Sequence, residues 1–441
     1  MSIKLKQINT YVFFILCYMC VIPLIASITY DKNTSLNLEN VNSVLSLNHF
    51  PYADNWYQLF YIIILCGLFC IIYILKNISP TILKENKLIL FFELLFILSI
   101  ISFIFSSNHY RSFFGSGYRH DGLITYILFI CIFCMSTLLS KKQIKMIIEV
   151  FTFVSMILGL LCIFQNNSFV IKHFYSFGYS YGYSLFLQRT HYGSLLSMSI
   201  PACFFLYLND DYTTLNKVEK TILLLLRNIE FWILVNTMFF NATRAMVLSS
   251  IFTIICGNIY VFSLNSDKWK EVVWLDTIII ATFVFLNTGN HLIDRFEEGR
   301  EKMKNGTDFT SSVDYYSNSR ITMWTSGIKY ALQKPFFGYG PDNLFEAFYN
   351  DGLSYTDRPH NEIIQIAASL GIPAMICYCL AIFEWLKILI KKLKKLESFT
   401  VSVFLIGISY LVCSLFSNSM FYTTSYFYMF LGFSYTLSKD C

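Results

Sequence analysis

Long apolar runs separated by short polar connections make up most of this chain. About twelve runs are present, and a helix of about 20 apolar residues spans the hydrocarbon core of a bilayer. The runs lack the alternation of apolar and polar positions that marks a membrane β-strand. The pattern therefore predicts one all-α polytopic membrane domain, residues 1–441. The approximate cores of its transmembrane helices are residues 11–28, 59–75, 88–105, 123–139, 144–164, 192–208, 222–240, 245–264, 272–286, 362–388, 401–415 and 421–437.

The placement of lysine and arginine predicts the orientation of these spans. Alternate connections are lysine-rich, for example residues 141–145 and 387–395, whereas most of the short connections between them carry one or two basic residues. Cytoplasmic loops are enriched in lysine and arginine. We therefore expect both termini to be cytoplasmic.

Composition narrows the function classes. The 441 residues are 55% hydrophobic and 14% charged, which excludes a soluble domain and gives no basic surface for nucleic acid. The sequence has neither a phosphate-binding glycine loop nor an Asp-x-Asp pair, so ATP hydrolysis and a metal-bound nucleotide sugar are not expected. Nearly all of the 13 cysteines fall in apolar runs, which argues against a disulfide framework. We expect no cofactor and no metal.

The longest polar interruption, residues 287–361, lies between the ninth and tenth spans and is predicted to be a large extracytoplasmic loop. Within it, Ile321, Trp324, Ile328 and Leu332 recur at steps of three and four residues. This spacing predicts an amphipathic helix over residues 317–333, ended by the proline at position 335, with Arg320 in its first turns. We expect this helix to lie on the membrane surface.

Two further features of the loop are candidates for chemistry. The turn at residues 337–343 contains Tyr339 and Gly340, and its backbone amides could approach an anion or a sugar. Farther on, Pro359 is predicted as the first residue of the tenth span with Asp357 as its cap, which places His360 at a helix N-terminus. The helix dipole there disfavours the imidazolium, so His360 would be neutral and able to act as a general base. An interfacial histidine held by a hydrogen bond remains the alternative.

Charged residues near other span ends complete the set of candidates. The short turn at residues 241–244 brings Arg244 to a helix N-terminus, where a guanidinium binds phosphate well. Arg189 precedes the sixth span and is either a third phosphate ligand or a structural residue. Arg227 and Glu230 are spaced to pair on one helix face. The carboxylates that remain isolated and unassigned are Glu93, Glu149, Asp276 and Glu384.

Three motifs in order resemble those of the O-antigen ligase and polymerase superfamily. The first is the turn at 241–244, which is similar to that family's serine/threonine-arginine turn before a span. The second, residues 320–343, looks like its arginine-tryptophan segment followed by P-x-x-G-x-G-x-x-N. The third, residues 359–373, looks like its proline-histidine-asparagine segment and the leucine-glycine pair after it. The resemblance covers residues 189–380 by motif and the whole chain by architecture.

This resemblance implies a glycosyltransferase of surface polysaccharide assembly. Its donor is a glycan on polyprenyl diphosphate, presented at the extracytoplasmic face of a bacterial inner membrane, and its acceptor is a hydroxyl of another glycan or lipid-linked glycan. Arg244 and Arg320 would hold the diphosphate and His360 would take the acceptor proton, so that transfer inverts the anomeric centre without a metal. The remaining substrate contacts would come from Arg189, Trp324, Tyr339, Gly340 and Asn361, and aromatic residues between positions 177 and 183 would stack on sugars. Its partners would be membrane lipids and other polysaccharide-assembly proteins.

The two alternative functions within this superfamily, polymerase and ligase, differ in their acceptor. A polymerase extends another lipid-linked repeat unit, whereas a ligase transfers the glycan to lipid A core, a protein or a wall component. The chain is rich in Lys, Asn, Ile and Phe, as in AT-rich genomes, and this slightly favours an organism without lipid A and hence a polymerase. A lipid-linked glycan flippase or transporter would place its functional charges near the bilayer midplane, and a membrane O-acyltransferase would not need paired arginines.

Overall fold

The computed structural model describes residues 3–30, 49–77, 86–175, 182–210, 215–264, 266–285, 291–307 and 309–439. Helices joined by short connections make up this part of the chain. In chain order they are α1 (Ile3–Thr29), α2 (Pro51–Asn77), α3 (Lys87–Ile104), α4 (His109–Phe114), α5 (Leu123–Ser136), α6 (Lys141–Ile163), α7 (Ser168–His173), α8 (Arg189–Asn209), α9 (Lys217–Asn241), α10 (Arg244–Leu264), α11 (Trp269–Phe285), α12 (His291–Met303), α13 (Phe309–Tyr316), α14 (Arg320–Gln333), α15 (Phe345–Asn350), α16 (Glu362–Leu370), α17 (Ile372–Lys392), α18 (Ser398–Ser414) and α19 (Phe421–Leu437).

The prediction of an all-helical polytopic membrane protein is confirmed. Seven helices in the described ranges are long and apolar enough to cross a membrane: α1, α2, α3, α6, α9, α10 and α17. α5 and α18 are shorter apolar helices. Large apolar side chains point outward from these helices; Phe69 on α2, for example, is 72% exposed. Such a surface is stable against lipid, whereas water would disfavour it.

Two helices form the centre of the bundle. In α8 every residue from 191 to 208 is buried, and in α19 nearly every residue is. α8 packs against α9, α10 and α18, while α19 packs against α5 and α18. Helices enclosed by protein can carry small and polar residues such as Ser194, Ser197 and Ser199 because they do not face lipid. The buried serines and threonines of α8 and α19 therefore face protein rather than lipid.

The prediction that residues 362–388 form one continuous tenth span is wrong. The helix is interrupted at Gly371, whose φ of 96° is in the left-handed region, and this separates α16 from α17. A side-chain carbon at position 371 would lie 2.3 Å from the carbonyl oxygen of Phe336. The Ile372 amide donates to the Pro335 carbonyl oxygen at 2.7 Å. The segment that follows α14 therefore packs against the interruption between α16 and α17.

A buried ion cluster lies at the end of the bundle where α8 stops. Arg227 pairs with Glu230 at 3.0 Å, as the sequence spacing predicted, and with Asp210 at 2.9 Å. It also lies 3.3 Å from Glu149, and on α17 Glu384 pairs with Lys387 at 2.8 Å. The expectation that Glu149 and Glu384 are isolated is therefore wrong. Lys145 completes the cluster at 2.9 Å from Asp210. The cluster joins α6, α8 and α9 at the end opposite to the candidate site.

Candidate active site

Three arginines occupy the first positions of three helices that converge at one end of the bundle. Arg189 begins α8, Arg244 begins α10 and Arg320 begins α14. All three side chains line a single cavity of about 510 Å³. The positive dipole end of a helix adds to the charge of a guanidinium there. Three guanidinium groups at such positions give the cavity the chemistry to hold an anion.

Asn241 holds two of these helix starts together. Its side-chain amide donates to the carbonyl oxygens of Gly182 at 2.6 Å and Arg189 at 3.0 Å. Its Oδ1 accepts from the Thr243 amide at 3.2 Å. Ala242 takes a left-handed φ of 54°, which ends α9 and turns the chain into α10. Asn241 therefore fixes the separation of Arg189 and Arg244 through the backbone.

The predicted amphipathic helix is confirmed as α14, with Arg320 as its first residue. Asn318 and Ser319 precede it with φ of 58° and 61°, two consecutive residues in the left-handed region. The Arg320 side chain donates from Nε to the Phe416 carbonyl oxygen at 3.2 Å and from Nη1 to that of Ser317 at 3.1 Å. These bonds orient the guanidinium toward the cavity.

His360 lies just before α16 rather than inside a helix. Asn361 is the N-cap, and its Oδ1 accepts from the Ile364 amide at 3.1 Å. The expectation that Asp357 caps the helix and Pro359 begins it is therefore wrong, because Asp357 pairs with Arg119 instead. His360 has a left-handed φ of 53°, a conformation that costs energy in a non-glycine residue and clusters at functional sites.

The ring of His360 is half-buried and lines a second cavity of about 280 Å³. This cavity adjoins the first, because Arg189, Thr190, Asn318 and Arg320 line both. Burial, followed by the positive charges of Arg320 and Arg119, lowers the pKa of His360 to about 3. The imidazole is therefore neutral at physiological pH and able to accept a proton.

We expect the His360 ring to stay neutral down to about pH 4 in the free protein and to titrate higher once a diphosphate is bound. A diphosphate would neutralise the nearby arginines and so stabilise the imidazolium. NMR of protein labelled at its seven histidines, with the His360→Gln variant for assignment, measures both states. A short-chain prenyl diphosphate serves as the ligand. Titration of His360 near pH 6.5 without ligand would contradict the electrostatic description.

Beneath His360 lies a buried ion network that the sequence did not reveal. Arg358 Nη1 lies 2.8 Å from Asp121 Oδ2, and its Nη2 lies 2.7 Å from Asp342 Oδ1. Arg119 donates twice to Asp357, at 2.8 and 2.9 Å. These side chains are 2–3% exposed. The network joins the loop before α5, the glycine turn before α15 and the loop that carries His360.

Opposing effects set the ionisation of the network. Burial raises the pKa of Asp121 to about 6 despite the neighbouring Arg358. Burial also acts to raise the pKa of Asp357, but Arg119 and Arg358 outweigh it and hold that pKa below its usual range. Arg358 bonds to carboxylates on two other segments, and Arg119 bonds twice to the Asp357 carboxylate. The network therefore fixes the position of residues 357–360.

Replacing Arg358 with alanine is expected to destabilise the fold by about 3–5 kcal/mol, because Asp121 and Asp342 would remain buried without their partner. Thermal unfolding in detergent measures the loss. Lys302→Ala is the control, because its pair with Glu298 is about 40% exposed (41% and 44%) and such pairs contribute up to about 1 kcal/mol. Equal melting temperatures for the two variants would show that the network is not structural.

His191 extends this network into the bundle core. Its Nε2 lies 3.0 Å from Arg119 Nη1, and its Nδ1 lies 2.5 Å from the Tyr422 hydroxyl. A guanidinium only donates, so Nε2 accepts and the proton of a neutral ring resides on Nδ1. His191 is thereby fixed as a neutral hydrogen-bond partner inside the protein.

The structure does not bring every predicted site residue to the cavities. The amides of Tyr339 and Gly340 donate to the carbonyl oxygens of Ala368 and Ser369 at 3.0 and 2.8 Å. Tyr339 donates its hydroxyl to Gln333 at 2.9 Å. Both ends of the Asn361 amide are engaged, since its Nδ2 donates to the Leu415 carbonyl oxygen at 3.0 Å. None of these three lines either cavity.

Trp324 does reach the site. It lines the larger cavity, and its indole N–H donates to the His360 carbonyl oxygen at 3.4 Å. Sequence reasoning did not select Gln188, Thr190 or Asn318, which line the smaller cavity. Of the predicted aromatic segment 177–183, only residues 182 and 183 are described, and Tyr183 lines the smaller cavity.

A known protein family matches the region of the chain that carries most of these residues. Residues 229–379 match a family model described as O-antigen ligase. Arg244, Arg320, Trp324 and His360 fall inside the matched region, whereas Arg189 precedes it. No curated protein matches the chain.

Proposed function

We propose that the chain, whose residues 229–379 match the O-antigen ligase family model, transfers a glycan from polyprenyl diphosphate to an acceptor hydroxyl. The observation that carries this proposal is the convergence of three helix-starting arginines and a neutral histidine on two adjoining cavities. We further propose that the reaction takes place at the extracytoplasmic face of the inner membrane, the side with fewer basic residues in its short connections.

The three arginines would bind the diphosphate of the donor. Planar guanidinium groups form paired hydrogen bonds with phosphate oxygens, and the helix N-termini supply further positive potential. As the bond between the anomeric carbon and the diphosphate oxygen breaks, negative charge grows on the leaving diphosphate. Arg189, Arg244 and Arg320 stabilise that charge. Because they provide the charge that a divalent cation would otherwise supply, the proposed transfer is independent of metal.

His360 would act on the acceptor. Its neutral imidazole takes the proton of the acceptor hydroxyl while the hydroxyl oxygen forms the new bond to the anomeric carbon. Polyprenyl diphosphate leaves from the opposite side, so the configuration at that carbon is inverted. The proton then passes from His360 to solvent or to the departing diphosphate. Protons and electrons balance without any co-reactant.

Of the two acceptor classes, we propose the repeat-unit polymerase, because the composition favours an organism without lipid A. A strain that lacks the protein tests the choice by electrophoresis of its surface glycan. Collapse of the ladder to a single repeat unit, restored by the wild-type gene, is the expected result. Accumulation of long lipid-linked chains that are never transferred would identify a ligase instead.

A further inference from the structure

Helix α14, which begins with Arg320, has no cap from its own N-cap residue. Ser319 stands at that position with a left-handed φ of 61°, and its side chain makes no capping bond. An N-cap residue usually has an extended backbone, and its side-chain oxygen accepts from an amide of the first helical turn. The first-turn amides of α14 therefore need an acceptor from elsewhere in the chain.

Asp314, in the preceding helix α13, supplies that acceptor. Its Oδ1 accepts from the Thr322 amide at 3.0 Å, and its Oδ2 accepts from the Thr322 hydroxyl at 2.6 Å. Thr322 is the third residue of α14, and its amide is one that an N-cap side chain normally reaches. A carboxylate also suits the positive dipole end of a helix. Asp314 thus caps α14 from eight residues away.

The main chain of Asp314 fixes the turn between the two helices. Its carbonyl oxygen accepts from the Ser319 amide at 2.8 Å and from the Ser317 hydroxyl at 3.0 Å. Asn318 and Ser319 are both in the left-handed region. Such a backbone costs energy in non-glycine residues and persists where the surrounding contacts impose it. The hydrogen bonds to Asp314 therefore hold this turn in its conformation.

These bonds lead to the guanidinium of Arg320. Its Nη1 donates to the Ser317 carbonyl oxygen at 3.1 Å. Asp314 therefore fixes both the backbone that carries Arg320 and the residue that accepts from its side chain. Val313, Ser317 and Arg320 line the larger cavity, whereas Asp314 lines neither cavity. Asp314 thus lies behind the cavity wall rather than at its surface.

We propose that Asp314 is a positioning residue that sets the place of the Arg320 guanidinium in the larger cavity by capping α14 from α13. The proposal rests on the function proposed above for the identity of the anion, and it adds a residue that acts on that anion through Arg320. The charge of Asp314 has the opposite effect, because a carboxylate at the start of α14 weakens the attraction of the arginines for an anion. Loss of the carboxylate therefore weakens binding if it positions Arg320, and strengthens binding if only its charge matters.

The Kd of farnesyl diphosphate, a short-chain prenyl diphosphate, for the full chain in lipid nanodiscs tests the proposal. Asp314→Ala is expected to raise Kd roughly tenfold, the size of effect that a lost helix cap produces. Asp314→Asn should stay within about twofold of wild type, because the carboxamide can accept from the Thr322 amide and donate to its hydroxyl. Glu346→Ala, which removes an exposed carboxylate outside both cavities, is the control and should leave Kd unchanged.

A double-mutant cycle shows whether Asp314 acts through Arg320. In the Arg320→Ala protein, adding Asp314→Ala should change Kd no further, because the guanidinium that it positions is absent. Thr322→Val keeps the amide bond to Asp314 and removes the hydroxyl bond. It should raise Kd by a smaller factor than Asp314→Ala, and only when Arg320 is present. This second variant carries the test if Asp314→Ala does not fold.

The outcomes separate the positioning role from the proposed function. Equal Kd values for Asp314→Ala and Asp314→Asn, or tighter binding by both, would show an effect of charge and overturn the proposal. The same change in Kd with and without Arg320 would also overturn it. If the variants bind as expected but the wild-type protein transfers no glycan, the proposed function fails and the positioning role stands. A wild-type protein that binds no farnesyl diphosphate would contradict both.

Discussion

His360→Ala is expected to lower kcat roughly 10²–10⁴-fold, the usual contribution of a general base. The neutral ring, its cavity position and its left-handed backbone support the proposed role of His360 as the group that takes the acceptor proton. Donor binding should persist, because the three arginines proposed to hold the diphosphate are unchanged. Glycan transfer measured at saturating donor and acceptor, together with donor binding by the same preparation, reports both quantities.

His173→Ala is the matched control for this variant. His173 is exposed at the end of α7 and bonds to the Phe169 carbonyl oxygen at 2.9 Å, outside both cavities. Its replacement should leave kcat within about twofold of wild type, since exposed substitutions have small effects. A His360→Ala protein that melts like wild type and still transfers at the wild-type rate would remove the base from the mechanism.

Arg320→Ala is expected to lower kcat roughly 10²–10³-fold, the range seen when one stabilising donor is removed from a transition state. Arg320 lines both cavities, and in the proposed mechanism it faces the charge that grows on the leaving diphosphate. Arg320→Lys should recover part of the rate only, because an ammonium cannot form paired planar bonds to phosphate oxygens. Single-turnover transfer with bound donor measures the chemical step directly.

Lys329→Ala, on the same helix, is the matched control. Lys329 is 53% exposed and pairs with Asp351 at 2.7 Å, away from both cavities. Its loss removes one positive charge from α14 without touching the site, and transfer should stay near the wild-type rate. If Arg320→Ala and Lys329→Ala reduce transfer equally, the effect reflects net charge or helix stability rather than a bond to diphosphate.

The helical architecture and the main members of the site could be predicted from the sequence. Apolar runs identify helices whether these face lipid or protein, since both environments exclude water. Helix α14 was predicted from the spacing of its apolar residues, Ile321, Trp324, Ile328 and Leu332. Arg244, Arg320 and His360 were recognisable because each stands near a predicted helix start within a motif, and the structure brings them to adjoining cavities.

The interruption at Gly371 could not be predicted from hydropathy, because the apolar pattern continues across it. A single glycine in an apolar run is compatible with an unbroken helix, and only the approach of the Phe336 carbonyl shows why the backbone turns there. The N-cap of α16 was predicted at the wrong residue because the sequence offers two candidates. Asp357 and Asn361 are both good capping residues, and the pair between Asp357 and Arg119 decides between them.

The buried ion network shows what a single sequence leaves undetermined. Arg119, Asp121 and Arg358 have the composition of exposed loop residues, yet each is almost completely buried. Two of the network's pairs, Arg119 with Asp357 and Asp121 with Arg358, join residues more than 200 positions apart in the chain. The available signal was the concentration of charge in two outward loops of a chain with only 14% charged residues. That signal indicates a site, but not which charges pair inside it.

The most direct test of the proposed function is transfer by the purified protein in nanodiscs with a chelator present. The measurement is the amount of polyprenyl diphosphate released for each glycosidic bond formed, together with the configuration of that bond. We expect one diphosphate per bond, an inverted anomeric centre, an undiminished rate in the chelator, and loss of the reaction in His360→Ala. Transfer that stops in the chelator, or that retains the anomeric configuration, would contradict the mechanism.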